Sequence, residues 1–205
     1  MNVALYGNVC NNMYNIAKAL RKHSTIEPNL YLSAKTYFHS NPESDDPELK
    51  NELPDWIHQD KRLDAVHFFK SLTLDRSFIK ELNKYDAIIA SDIGGALAPY
   101  VKPKVFFWTT GSDITRMPFP EEFDFYYKTL KEKIRFRLIG RLQRKGLCKV
   151  HQFWTQPYYP FIDALKSLNI ESERISTAYF PIIVDTELLK YNSAALKEVD
   201  PVIQQ

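Results

Sequence analysis

The sequence predicts an α/β protein built on a doubly wound, mostly parallel sheet, and three observations carry that prediction. Short apolar runs recur along the chain, at Asn2–Tyr6, Asn29–Ala34, Ala65–Phe69, Ala87–Ala90, Val105–Trp108 and His151–Gln156. Stretches with apolar residues at helical spacing alternate with them. The central runs Ala87–Ala90 and Val105–Trp108 are continuously apolar, which suits strands buried on both faces of a parallel sheet. Alternating strands and helices of this kind join through right-handed crossovers, with helices on both faces.

Composition narrows the class. At 205 residues, 44% hydrophobic and 25% charged, the chain reads as an ordinary soluble globular protein, most simply one large domain or slightly more. A chain of that length buries roughly 70% of its unfolded surface and needs no covalent staple. Cys10 and Cys148 have no CxxC spacing and no histidine cluster, so neither zinc nor a disulfide framework is expected. A reduced, cytoplasmic setting is the default. The opening MNVALYGN enters a strand at once, without a basic segment or an apolar run long enough for a signal or spanning helix.

In chain order, Asn2–Tyr6 leads into the polar loop Gly7–Asn12. Met13, Ile16, Ala17 and Leu20 then mark a helix capped by Asn11 or Asn12, with Arg21, Lys22 and His23 suiting the dipole of its last turn. The loop is read either as a cradle for a phosphate or hydroxyl at the helix N-terminus or as a capped turn that only connects. It matches neither GxGxxG nor GxxxxGK[ST]. From Ser40 to Asp60 seven acidic residues stand against one lysine, with three prolines, which describes an extended surface loop. Trp56 is a hydrophobic pin for that loop or, less favoured, a stacking platform. The carboxylates lack the DxDxDG spacing of a calcium loop, and no metal is expected. His67, inside Ala65–Phe69, reads as a core histidine. Leu74, Phe78, Ile79 and Leu82 form a helix leading into Tyr85.

The stretch from Tyr85 to Asp113 is a strand, helix, strand unit. Asp92 is expected to cap the middle segment, which contains Gly94 and Gly95 and closes at Pro103. In open parallel sheets the ligand crevice lies at the carboxyl ends of the strands, so Ser91-Asp92 and Thr110-Gly111-Ser112-Asp113 become candidates. Beyond them runs a basic helix. Residues 128–149 hold nine Lys or Arg against Glu132 alone, although the whole chain carries only +2. Leu130, Ile134, Leu138 and Leu142 recur every four residues and are expected to cover the sheet, leaving the cations outward. A solvated covering helix, a surface for anionic lipid and a nucleic-acid patch compete. Lipid is favoured, through Lys131, Arg135, Arg137, Arg141, Arg144 and Lys145. Nucleic acid ranks last, since no aromatic platform or reading motif surrounds the cations. After His151–Gln156, Pro160, Phe161, Ala164, Leu165 and Leu168 mark a further helix, and a last strand from Arg174 breaks at Pro181.

The opening VALYGN with its Asn-Asn loop, PDWI at 54–57, YDAIIASD, TTGSDI at 109–114, the basic helix and FPIIVDTELL at 180–189 together resemble the N-terminal half of a GT-B-fold "group 1" (family 4) retaining glycosyltransferase. The resemblance implies a Rossmann-like acceptor-binding domain over residues 1–180 and a crossover over 181–205 toward a C-terminal domain. It implies sugar transfer from a nucleotide diphosphate donor to a glycan or lipid-linked acceptor in cell-surface polysaccharide synthesis, at the cytoplasmic face of a membrane. The donor is expected mainly in the C-terminal domain, so no cofactor is assigned to this chain, which alone is expected to be inactive. Relatives often carry a histidine where Thr110 stands. Asn8, Asn11, Asn12, Asp92, Thr110 and Ser112 are the candidate acceptor ligands, their amides, hydroxyls and carboxylates suiting a polyhydroxylated molecule. Asp113 is the candidate to orient the attacking hydroxyl or take its proton, against the plainer reading that Ser112 and Asp113 cap the next helix. The alternative from another class is a free-standing, non-catalytic α/β binding module. A dinucleotide oxidoreductase is disfavoured by the missing GxGxxG and by Ser33-Ala34-Lys35 where an acidic residue is needed.

Overall fold

In the computed structural model, residues 1–33, 40–60, 75–122 and 129–177 are described. Seven strands, β1 (Asn2–Tyr6), β2 (Glu27–Ser33), β3 (Ile57–Asp60), β4 (Ala87–Ala90), β5 (Lys104–Trp108), β6 (Gln152–Trp154) and β7 (Ile175–Ser176), form one sheet in the order 3-2-1-4-5-6-7. Every pairing between neighbours is parallel. The helices are α1 (Asn12–His23), α2 (Arg76–Leu82), the single turn α3 (Ser112–Thr115), α4 (Leu130–Leu147) and α5 (Tyr159–Ser167). The chain builds outward from β1 to β3, returns to β4 on the other side of β1, and then builds outward again. The result is the doubly wound, Rossmann-like fold that the apolar runs imply.

Strand periodicity divides the core. In β1, Val3 and Leu5 point to the face covered by α1, where they meet Met13, Ile16 and Ala17. Ala4 and Tyr6 point to the opposite face, where Leu82 of α2, Ile139 and Leu147 of α4 and Leu165 of α5 close the second layer. A strand buried on both faces must be apolar at every position, which is why these runs do not alternate.

Several expectations are corrected. Residues 57–60 form strand β3, paired with Leu30–Ser33, where the sequence suggests only a surface loop. It is an edge strand among the described residues, and its core contact is Ile57, so no apolar pattern announces it. The preceding loop folds into two short 3-10 turns, Pro42–Ser44 and Pro47–Lys50. Trp56 stacks on Tyr14 at a centroid distance of 6.0 Å with Arg21 over its ring, the arrangement of a pin. Asp92 does not cap a helix: it adopts φ 52° and opens a 3-10 segment, Asp92–Leu97, whose cap position is Ser91. The strand expected at Ala65–Phe69, with His67, the segment 180–189 and the crossover at 181–205 lie outside the described residues, as does Lys128.

The largest correction concerns α4. Leu130 and Ile134 are 74% and 52% exposed, and the buried face is Ile139, Gly140, Gln143, Gly146 and Leu147. The helix approaches its neighbours backbone to backbone, and the glycines make that approach possible. A Cβ on Gly140 would lie 2.5 Å from Pro120 and 2.6 Å from the Met117 carbonyl, and one on Gly146 would strike the Gly95 carbonyl. The outward face therefore carries Leu130 and Ile134, the start of the leucine repeat, while Leu142 at its end packs against the core. A capping box between Thr129 and Glu132 starts the helix without help from the core.

Gly→Ala inside a helix ordinarily stabilises by about 0.5–1 kcal/mol. Gly146→Ala is expected to reverse that sign and destabilise by about 1–3 kcal/mol, the usual cost of overpacking, because the new methyl meets backbone that cannot rotate away. Urea unfolding of the variant against the parent chain measures it.

Candidate functional site

The chain reverses its direction of building between β1 and β4, and that switch point is where doubly wound sheets open a crevice beyond their carboxyl ends. The first pieces of its floor are Gly7 and Ser91. Gly7 has φ 90°, and any side chain there would run into the Ser91 backbone. Ser91 Oγ donates to the Gly7 carbonyl, and Ser91 N–H donates to Tyr6 O at 2.9 Å. The two loops are thereby laced together.

Asn8 and Asn11 are buried beside this junction, and their amides are committed inside the protein. Asn8 Nδ2 donates to Asn11 Oδ1 and to Ser40 O, both at 2.8 Å, while Asn8 Oδ1 accepts the Tyr14 N–H at 2.9 Å. Asn11 Nδ2 donates to Asn41 O at 2.8 Å and to Ser44 Oγ at 2.9 Å. Cys10 N–H donates to Ser40 Oγ at 3.2 Å. The amide protons that would cradle an anion at the start of α1 are thus partly taken by the loop at residues 40–46. Cys10 and Asn11 both lie in the left-handed region, which lets the chain fold tightly enough for this exchange. Asn12, the first residue of α1, is half-buried at the rim.

On the β5 side, Thr109 N–H donates to Trp154 O at 3.0 Å and its hydroxyl to Thr155 Oγ1 at 2.9 Å. The next loop is organised by Asp113, which is only 1% exposed. Its carboxylate accepts Thr110 N–H at 3.0 Å, Thr110 Oγ1–H at 3.1 Å and Gly111 N–H at 2.8 Å. The carboxylate offered by the sequence as a proton acceptor is turned inward, and it holds the loop rather than facing the crevice. Gly111 is the cap residue of α3, so neither Ser112 nor Asp113 occupies that position. Gly111 adopts φ 139° with open space where a side chain would stand. Thr110 is half-buried with its hydroxyl committed to Asp113, and Ser112 is exposed, so the Ser112 hydroxyl is the outward group of this loop.

Asp92 lies half-buried at the end of β4. Burial raises its carboxyl above the usual carboxylate range, opposed by the Ile93 N–H. The same cause acts more strongly on Asp113, where burial, opposed by the Thr110 and Gly111 N–H groups and reinforced by the Asp92 charge, lifts the carboxyl to about 6. The residue the sequence reading misses is Gln143, which has no exposed surface. Its Nε2 donates to Asp92 O at 2.8 Å and to Asp113 O at 3.3 Å, and its Oε1 accepts Ala96 N–H at 3.1 Å. One side chain on α4 thus ties together both loops that carry the candidate carboxylates. The available signal is its phase: Ile139, Gln143 and Gly146 fall on one helical face together with Gly140. A glycine pair on that face points to close packing.

Of the basic residues singled out, Lys131, Arg137, Arg141 and Lys145 are exposed and Arg135 is half-buried. Arg144 is engaged, its Nε and Nη2 donating to Pro118 O at 2.9 and 2.6 Å and Nη2 to Glu121. Lys145 sits over the Tyr100 ring at 5.9 Å. Among the described residues no helix is long and apolar enough to cross a membrane, and no group of three His, Cys, Asp or Glu is placed to hold a metal ion.

A carboxyl raised in the folded state binds its proton more tightly there than in the unfolded chain. Its contribution to stability is therefore present below the ordinary carboxylate value and is lost as pH rises through about 6. With a rise of about two units, the loss is on the order of 3 kcal/mol. Asp113→Asn keeps an acceptor for the Thr110 and Gly111 amides and removes the titration. Urea unfolding across this window is expected to show the parent losing stability relative to Asp113→Asn as pH rises.

No protein-family model matches the sequence, and no curated protein matches it. Among solved structures, the S. aureus MnaA–UDP co-structure is similar over 96% of this chain and 50% of its own, with TM-score 0.53 and 14% identity. Two short-chain dehydrogenase/reductase structures from Veillonella parvula DSM 2008, one of the wide type with NADP and one ethylated, cover 76% of this chain and 67% of theirs. Their identities are 9% and 10% and their TM-scores 0.35 and 0.36, too distant to argue from. The chain spans half the length of MnaA and shares its fold across that span.

Proposed function

We propose that this chain is the acceptor-binding half of a retaining glycosyltransferase that moves a sugar from a nucleotide-diphosphate donor to a glycan or lipid-linked acceptor in cell-surface polysaccharide synthesis. The observation that carries the reading is the β1/β4 switch point, the place where doubly wound sheets take ligands, at which partly or fully exposed residues of three neighbouring loops offer hydroxyls, an amide and a carboxyl: Asn12, Asp92, Thr110 and Ser112. Such groups match a polyhydroxylated acceptor, because a sugar hydroxyl removed from water must find a partner. The shared fold with half of a chain solved with UDP supports nucleotide-sugar chemistry, with the donor held mainly by a second domain. In this reading Asn8, Asn11 and Asp113 are positioning residues: they shape the loops that present the outward groups. A non-catalytic binding module is the second reading, favoured by the internal engagement of the same three side chains.

Calorimetric titration of the 205-residue chain separates these. Binding of oligosaccharide or lipid-linked acceptors without binding of UDP or GDP is the expected outcome. Tight nucleotide binding by this chain alone would overturn the division into an acceptor half and a donor half.

The outward face of α4 belongs to the same proposal. Exposed Leu130 and Ile134 share one outward face with Arg137, Arg141 and Lys145, with Lys131 beside it, a mix of apolar and basic groups suited to a lipid interface. Charge complementarity selects an anionic bilayer, to which each cation near the surface adds about 1 kcal/mol. In this reading the domain works at the cytoplasmic face of a membrane, where a lipid-linked acceptor is presented. Leu130→Asp with Ile134→Asp, and separately Arg137→Glu with Arg141→Glu, are each expected to abolish sedimentation with phosphatidylglycerol vesicles. Arg144 is left intact because it holds the 118–121 loop. Unchanged sedimentation in both variants would return α4 to plain cover.

A further inference from the structure

A second recess lies at the other end of the sheet. In a parallel sheet all amino ends share one rim, and here Lys104 opens β5, Val150 and His151 precede β6 and Arg174 precedes β7. Between them runs a groove of about 490 Å³, whose lining includes Lys102, Lys104, Cys148, Lys149, His151 and Arg174. That volume lies within the range of small-ligand sites. Among the described residues no carboxylate lines it.

The cations of the groove are not balanced locally. Among the described residues, Lys102, Lys104 and Lys149 are exposed and none is paired with a carboxylate. Arg174 is held in place: its Nη2 donates to the Val150 carbonyl and, at 3.2 Å, to the Cys148 carbonyl. The plain explanation for cations here is the carboxyl end of α4, whose dipole attracts them. That end is worth roughly half a negative charge, against four full positive ones. The dipole accounts for one of these side chains and leaves the rest facing one another across a recess. Like charges gathered around a concave surface focus a positive potential and raise the local concentration of anions.

We propose that this groove is a phosphate-binding site, distinct from the crevice at the carboxyl ends and independent of the function proposed for it. Lysines as mobile point charges and a backbone-anchored guanidinium at the rim suit the tetrahedral oxygens of a diphosphate or phosphodiester better than a lone carboxylate. The ligand is either a free diphosphate or the phosphate of a lipid headgroup.

Cys148 lines the groove and is exposed, whereas the other free cysteine, Cys10, is exposed at the opposite end of the sheet. The pair gives an internal comparison. N-ethylmaleimide labelling of each cysteine, followed by peptide mass spectrometry, is measured with sodium pyrophosphate against sodium chloride of equal ionic strength. A second arm uses phosphatidylglycerol against phosphatidylcholine vesicles. The expected result is a several-fold slowing at Cys148, with Cys10 unchanged, in at least one arm. Slowing by pyrophosphate identifies a free phosphate ligand, and slowing by phosphatidylglycerol vesicles alone identifies a headgroup. The slowing is expected to disappear in the Lys102→Glu, Lys104→Glu, Lys149→Glu variant, measured against itself with and without the anion. Equal rates at Cys148 in both arms, or slowing that survives in the variant, would overturn the proposal.

Discussion

The side chain of Gln143 is the constraint on which the loops after β4 and β5 depend. An unexposed amide must satisfy its donors and its acceptor inside the protein, and Gln143 does so by binding Asp92 O, Asp113 O and Ala96 N–H. Two separate backbone segments, Asp92–Leu97 and the α3 turn, are thereby held to α4 at one point. The contact works only because α4 lies unusually close, and it lies close only because Gly140, Gly146 and Gly95 have no side chains to keep the backbones apart. Packing and hydrogen bonding specify the same geometry here, and neither would form without the other.

From that point the loops at the carboxyl ends take their shapes. Asp113 is forced inward by the α3 turn and collects the amides of Thr110 and Gly111, which leaves Ser112 outward. Burying a carboxylate costs free energy even when it is well bonded, and the upward displacement of its titration records that cost. Asp92 shares the cost in its left-handed backbone. Strained or desolvated groups persist where the surrounding structure over-determines them, and such places coincide with functional sites often enough to direct the search to this rim.

Much of this was legible beforehand. The buried strands at Asn2–Tyr6, Ala87–Ala90 and in the Val105–Trp108 run appear at the expected residues, because a strand covered on both sides has no position where a polar residue is tolerated. Helix α1 was legible from Met13, Ile16 and Ala17, all of them buried. Strand β3 was not: Ile57 apart, it is polar, and it exists because β2 offers unpaired backbone groups. The apolar repeat of α4 was visible, but its direction was not. Leu130, Ile134 and Leu138 would suit a core equally well, and only the glycines on the other face decide which way the helix turns. At the site, the polar residues after each strand could be listed from sequence, yet whether an amide faces inward, like Asn8, or lies at the rim, like Asn12, depends on what the 40–46 loop brings to it.

Local chemistry therefore determined most of the elements, their parallel arrangement and the end of the sheet that collects the polar loop residues, since period, burial and turn residues act over a few neighbours in the chain. Tertiary structure alone decided which polar side chains face outward, which face of α4 is buried, and that Lys102, Lys104, Lys149 and Arg174 share one groove. Those facts join residues 30 to 70 positions apart, and no local rule registers a contact that exists only once the sheet has closed the distance.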